Sequence, residues 1–159
     1  MLAPWIADPA AKLLLSQWSH EINLDLVRLG TTADADEIKD TANAQPLIVA
    51  AGLLGARALG SARIAIVAGH SVGEITAAAI SGVIDDVDAM KLVRARGVEM
   101  AKAAALKPAG MSAVLGGDRE VVLRAISDLG LVAANDNGAG QIVAAGDLDA
   151  LAQLAPEGA

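Results

Sequence analysis

The feature that most constrains this chain is a switch from strand to helix around a serine. Ile64-Ala65-Ile66-Val67-Ala68 is an apolar run with β-branched residues that reads as a buried strand, and Glu74 to Ile80 reads as a helix. Between them lies Gly69-His70-Ser71-Val72-Gly73. The two glycines remove Cβ atoms where a sharp turn crowds its own backbone, so the Ser71 hydroxyl can stand out of the turn. The start of the next helix carries unsatisfied N–H groups and a partial positive charge, which makes the Val72 amide a candidate oxyanion donor. This is a geometry for acyl transfer. The same pentapeptide also suits an ordinary tight turn, and hydrolases and transferases share it.

The flanking sequence predicts an α/β chain. Asp8-Pro9 opens a helix with Leu13, Leu14, Trp18 and Ile22 on one face and Pro9 in its first turn. Asp34 to Lys39 reads as a solvated acidic stretch, and Pro46 is expected to begin a helix that runs to about Leu59, where Gly60-Ser61 breaks it. Asp85-Asp86 caps a further helix reaching roughly Ala105. Lys107-Pro108-Ala109-Gly110 reads as a linker. After it the pattern gives strand Met111 to Leu115, a helix from the Asp118 cap to Asp128, strand Leu131 to Ala134, a turn at 137–140, strand Ile142 to Ala145, and a last helix capped by Asp147. The expected organisation is a parallel-sheet core over 1–106, a linker at 107–110 and a β-α-β-β-α subdomain over 111–159. A ferredoxin-like unit would need one more strand, so the subdomain reads as incomplete.

Composition narrows the chemistry. Hydrophobic residues make up 54% of the 159, yet there is no Phe or Tyr, and Trp5 and Trp18 are the sole aromatics. The core must therefore rest on many small aliphatic contacts. Without cysteine, and with His20 and His70 alone outside any ligand motif, the sequence supports no disulfide, thiolate or metal site. A net charge of −7 argues against nucleic acid as a partner. The start has no basic and apolar leader pattern, and the apolar stretch Leu47 to Leu59 contains Arg57 and is too short to span a bilayer. A soluble, cytoplasmic protein is expected.

Serine needs a base to take its proton, and no histidine follows Ser71. His70 is adjacent, but neighbouring side chains on such a turn point apart, and His20 has no motif around it. Arg96 is the other informative residue. At about 100° per residue it falls amid Leu92, Ala89, Val93, Met100 and Ala103, an apolar arc on which a guanidinium needs a partner. Glu99 could serve as a purely structural one.

A longer set of words carries a resemblance. Gly69-His70-Ser71-Val72-Gly73-Glu74-Ile75 is followed by Ala77-Ala78 and Ser81-Gly82-Val83-Ile84-Asp85. Asp40-Thr41 and Ala44-Gln45-Pro46-Leu47 precede it, and Arg96-Gly97, Met100, Gly110-Met111-Ser112-Ala113 and Gly140-Gln141-Ile142-Val143-Ala144-Ala145-Gly146 come after. In this order they resemble the malonyl-CoA:acyl-carrier-protein transacylases of fatty-acid synthesis along nearly the whole chain. The resemblance implies Ser71 as nucleophile, Val72 as oxyanion donor, Arg96 as the clamp on the malonyl carboxylate, Gln45 lining the site and Asn137 near the pantetheine arm. Capping or turn roles for Gln45 and Asn137 stay open. It also implies malonyl-CoA and acyl carrier protein as partners, with the coenzyme A thioester as substrate and no cofactor. Lys91, Arg94 and Lys102 are candidates for a basic patch facing an acidic carrier. The family's Gly-Gln-Gly-[Ser/Ala]-Gln loop and its later histidine are not found here, so the chain is expected to lack sequence at both ends and to be inactive alone.

Three other readings remain open. An α/β serine esterase would use the same turn with a downstream acid and histidine, and a patatin-like dyad would need an Asp-Gly-[Gly/Ala] word that the sequence lacks. A non-catalytic acyltransferase fragment is the third.

Overall fold

The computed structural model describes residues 1–106 and 108–154. Contacts divide the chain into two units, Met1–Ala103 and Ala104–Ala159.

Aspartate caps set the helices of the first unit. Asp8 accepts from the Ala10 amide and starts α1 (Pro9–Glu21), Asp25 accepts from Arg28 and starts α2 (Leu26–Thr31), and Asp34 accepts from Glu37 and starts α3 (Ala35–Lys39). Asp40 likewise starts α4 (Thr41–Ala58). Helix α5 (Gly73–Ile80) follows the serine turn, and Asp85 Oδ1 accepts the Asp88 amide at the head of α6 (Asp86–Leu106). Much of the chain's acidity is thus spent on orphan helix donors. The core beneath them is aliphatic apart from Trp18, which is 1% exposed among Leu2, Leu15, Leu26, Leu29, Leu47 and Met90. Its seam on α1 runs Ala11, Leu15 and Trp18 and continues to Ile22 just past the helix, so Leu13, expected on that face, lies 61% exposed. The Asp34 to Lys39 stretch, read as solvated, buries no side chain but forms helix α3, where Arg28 holds Glu37 through two hydrogen bonds, one of 2.9 Å.

Helix α4 begins five residues before Pro46, and the reason lies in α6. A proline inside a helix cannot donate to the carbonyl four residues back, here that of Ala42. Arg94 Nη1 donates to the Ala42 oxygen instead, at 2.7 Å. Gly97 lets the two backbones meet: a Cβ there would lie 2.8 Å from the Thr41 carbonyl oxygen. These contacts fix α6 against the first turns of α4, which is where Gln45 projects.

The run 64–68 departs from expectation. Among the described residues it forms neither helix nor paired strand, and Ile66 is 86% exposed. A strand needs a ladder partner, and its near neighbours in this unit, Ile48, Gly52 and Thr76, belong to helices α4 and α5. No parallel strand pair occurs among the described residues.

The second unit contains β1 (Ala109–Leu115), α7 (Arg119–Asp128), β2 (Val132–Asp136), β3 (Gln141–Asp147) and α8 (Leu148–Leu154). The strands form one antiparallel sheet in the order β1-β3-β2, with Ala113 opposite Val143 and a register shift between Ala133 and Asn135. Ile126, Leu131, Ile142, Ala144 and Leu151 make its core. Strand β1 starts at Ala109, inside the stretch expected as linker, because Ala109 and Gly110 pair with Asp147 and Gly146. Lys107 of that expected linker, and Ala155 to Ala159 of the expected subdomain, lie outside the described residues.

Candidate active site

The serine turn is held by its own backbone. Gly73 N–H donates to the His70 carbonyl at 3.0 Å and Glu74 N–H to the Ser71 carbonyl at 3.1 Å, closing the turn into the first coil of α5. Ser71 sits at φ 55°, a left-handed conformation that side chains other than Asn, Asp and Gly seldom adopt. The two flanking glycines do different work. A Cβ on Gly69 would lie 2.1 Å from the Gly73 carbonyl oxygen, whereas one on Gly73 would meet nothing within 4 Å. Crowding therefore demands glycine on one side of the serine only.

Ser71 is exposed, and Val72 directly after it is the N-cap of α5 without any side-chain cap bond. Its amide finds no acceptor among the described residues, as an oxyanion donor requires. Arg96 reaches the same point from α6: Nη2 donates to Ser71 Oγ at 3.2 Å and Nη1 donates to Gln45 Oε1 at 2.5 Å. Gln45, 6% exposed, donates through Nε2 to Met100 Sδ at 3.0 Å. Three separate elements thus place a serine hydroxyl, a free amide and a cation together.

Of the residues singled out in the sequence, Ser71, Val72, Arg96 and Gln45 meet. Asn137 belongs to the second unit, at the β2–β3 turn, where its Nδ2 donates to Gln141 Oε1 at 2.7 Å. The structural partner suggested for Arg96 is not used: Glu99 pairs with Lys102 at 2.7 Å. Arg96 is also half-buried rather than central to an apolar face, since the buried side of α6 is Ala89, Met90, Val93 and Gly97, while Leu92 is 52% exposed. The suggested basic patch is committed elsewhere, with Lys91 on Glu21, Arg94 on Ala42 and Lys102 on Glu99. Glu21 holds the Lys91 ammonium above its ordinary value, chiefly through their hydrogen bond.

Neither histidine is hydrogen-bonded to Ser71, whose Oγ accepts from Arg96. His70 lines a groove of about 640 Å³ with Ile48, Ile64, Ile66 and Ile80, and His20 lies near the end of α1. Among the described residues no cluster of side chains could hold a metal, and no helix is long and apolar enough to cross a membrane. Met100 as the partner of Gln45 and Arg94 as the partner of Ala42 were not read from sequence. A proline five residues into a helix, which orphans a known carbonyl, was the signal for the second.

Residues 19–157 match the acyl transferase domain family. The malonyl CoA-acyl carrier protein transacylase of Mycobacterium bovis is 56% identical over 99% of this chain and 54% of its own length, and that of Mycolicibacterium smegmatis is 56% identical over 99% and 56%. The chain thus spans about half the length of the curated relatives it matches. Among solved structures, MCAT from Mycobacterium tuberculosis superposes with a TM-score of 0.91 at 56% identity, covering 96% of this chain and 52% of that one. A malonyl-transacylase solved in complex with a type II PKS acyl-carrier protein gives 0.83 at 30% identity, over 97% and 52%. A family match over residues 19–157, 56% identity to curated relatives across 99% of the chain and a fold that superposes on solved transacylases establish that this chain belongs to the acyl transferase domain family.

Proposed function

We propose that this chain carries the nucleophile and the acyl-specificity residue of a malonyl-CoA:acyl-carrier-protein transacylase. Ser71 Oγ attacks the thioester carbonyl of malonyl-CoA and gives its proton to a base, the tetrahedral oxyanion is met by the Val72 amide, and coenzyme A leaves as the thiol. The malonyl-serine ester is then attacked by the phosphopantetheine thiol of acyl carrier protein, which restores Ser71. No cofactor takes part. The reading is carried by one observation: a guanidinium stands 3.2 Å from the serine hydroxyl with its other arm anchored on a neutral amide. A cation placed there can hold a carboxylate on the acyl group, and a planar fork can meet both of its oxygens. An ordinary esterase has no use for it.

Because the chain covers about half of its relatives, the base and a second oxyanion donor are assigned to sequence that those relatives carry outside the matched region. The exposed run at 64–68, with Ile66 open to solvent, supports placing it within a parallel sheet of the complete enzyme. The order β1-β3-β2 likewise supports a ferredoxin-like subdomain in which a fourth strand pairs with the open edge of β1. In keeping with the matched names, malonyl-CoA and acyl carrier protein are the proposed partners and the cytoplasm the proposed location. Asn137 is proposed to approach the pantetheine arm.

The test sets these 159 residues in place of the matched half of the Mycobacterium bovis relative and incubates the resulting enzyme with malonyl-CoA. Peptide mass mapping should put the adduct on the Ser71 peptide, and Ser71→Ala should abolish it. Labelling of another residue, unaffected by Ser71→Ala, would remove Ser71 as the nucleophile.

A further inference from the structure

Arg96 can be useful only if its guanidinium is both aimed and left unpaired by any carboxylate of the chain, and one buried side chain serves both needs. Gln45 is almost fully enclosed, and its amide has a single orientation that satisfies its neighbours: Oε1 accepts from Arg96 Nη1, while Nε2 donates to Met100 Sδ at 3.0 Å. Met100 lies one helical turn beyond Arg96 on α6, so the amide bridges two residues of one helix from the side of another. The base of that bridge is rigid. Gln45 sits next to Pro46, in the segment of α4 that Arg94 holds through the Ala42 carbonyl and Gly97 lets α6 approach. A neutral acceptor suits the place. A carboxylate there would form an ion pair with Arg96 and compete with any acidic acyl group for it.

We propose that Gln45 is a positioning residue for acyl specificity: it fixes the Arg96 guanidinium beside Ser71 without neutralising it, so that the cation stays free for the carboxylate of the acyl donor. The residue acts through Arg96 and touches no reacting atom. The inference rests on the reading of Arg96 given above. It replaces a general site-lining role for Gln45 with a directional one: the donor-only guanidinium takes the amide oxygen, and Met100 Sδ accepts from the amide nitrogen left on the other side.

The experiment uses the chimaeric enzyme just described and measures kcat/KM with malonyl-CoA and with acetyl-CoA for the parent, Arg96→Ala, Gln45→Glu and Gln45→Ala. Gln45→Glu keeps the shape of the side chain, so it remains informative if Gln45→Ala fails to fold. In Gln45→Ala, loss of a hydrogen bond to a charged group is expected to lower the malonyl-to-acetyl ratio roughly 10- to 100-fold, and in Gln45→Glu the new ion pair should lower it as well. In Gln45→Glu most of that loss should lie in KM for malonyl-CoA, since the new carboxylate occupies the cation before substrate arrives. If Arg96→Ala loses malonyl preference and both Gln45 variants lose malonyl and acetyl transfer equally, Gln45 is only a packing residue and the inference is overturned. If Arg96→Ala itself leaves the ratio unchanged, the clamp reading fails and this inference goes with it.

Discussion

Replacing Gly69 by alanine should unfold the serine turn, whereas the same change at Gly73 should not. The two glycines look equivalent in the sequence, flanking Ser71 at the same distance. A Cβ at Gly69 would lie 2.1 Å from the Gly73 carbonyl oxygen, 2.2 Å from the Gly73 carbonyl carbon and 2.5 Å from the Glu74 nitrogen. All three are backbone atoms in the first turn of α5, so none can rotate away as a side-chain tip would. Relief requires that turn to recede by roughly 1 Å, and overpacking of this kind costs about 1–3 kcal/mol. At Gly73 the space is open and the backbone helical, so alanine should be neutral or stabilising by up to about 1 kcal/mol through its helix propensity. For a chain of this size, Gly69→Ala should lower Tm by roughly 2–12 °C and Gly73→Ala should leave it level or raise it slightly. Circular dichroism melts of the two variants beside the parent provide the measurement. Equal shifts for both, or a larger loss at Gly73, would refute the argument that close approach across the turn dictates Gly69.

Three further outcomes are expected. Arg94→Met should destabilise the chain by about 1.5–3 kcal/mol, but by clearly less in a Pro46→Ala background, where the new N–H can serve the Ala42 carbonyl; a denaturant double-mutant cycle showing strict additivity would contradict the compensation. Stability should fall as the solution is acidified: Arg28 holds the Glu37 carboxyl, and Arg119 with the Gly138 amide holds that of Asp136, below the ordinary carboxylate range. Stabilisation from such depressed groups is complete above their unfolded values near pH 4 and is lost as pH drops through the folded ones, so Glu37→Gln with Asp136→Asn should flatten urea midpoints measured between about pH 5 and 2. The 159-residue chain by itself, having no histidine on Ser71, should acylate slowly and substoichiometrically with malonyl-CoA, which intact-mass spectrometry can follow; catalytic turnover lost on Ser71→Ala would point to His20 or His70 as base.

The elements easiest to read from sequence were those fixed by local chemistry. Asp8, Asp85, Asp118 and Asp147 each announce the helix they cap, and the Gly69 to Gly73 turn announces a serine standing at a helix start. What escaped was decided by other parts of the chain. Pro46 was expected to open α4, yet the helix starts at Thr41 because Arg94, 52 residues beyond the Ala42 carbonyl, supplies the missing donor. The angle of Arg96 on α6 located it but could not tell that Gln45 and Ser71, rather than Glu99, would receive its two arms. The run at 64–68 shows the converse limit. Its residues are strand-formers, but a strand is a relation between segments, and no described segment pairs with it.

The central claim is that Arg96 beside Ser71 makes this an acyl site selective for a carboxylated group. Its most direct test is the malonyl-to-acetyl ratio of kcat/KM in the chimaeric enzyme before and after Arg96→Ala. Truncating one partner of a hydrogen-bonded charge pair costs about 2–4 kcal/mol, so the ratio should fall roughly 30- to 1,000-fold, with acetyl transfer far less affected. An unchanged ratio, with both substrates slowed alike, would contradict the claim and leave Arg96 as a support for the serine turn.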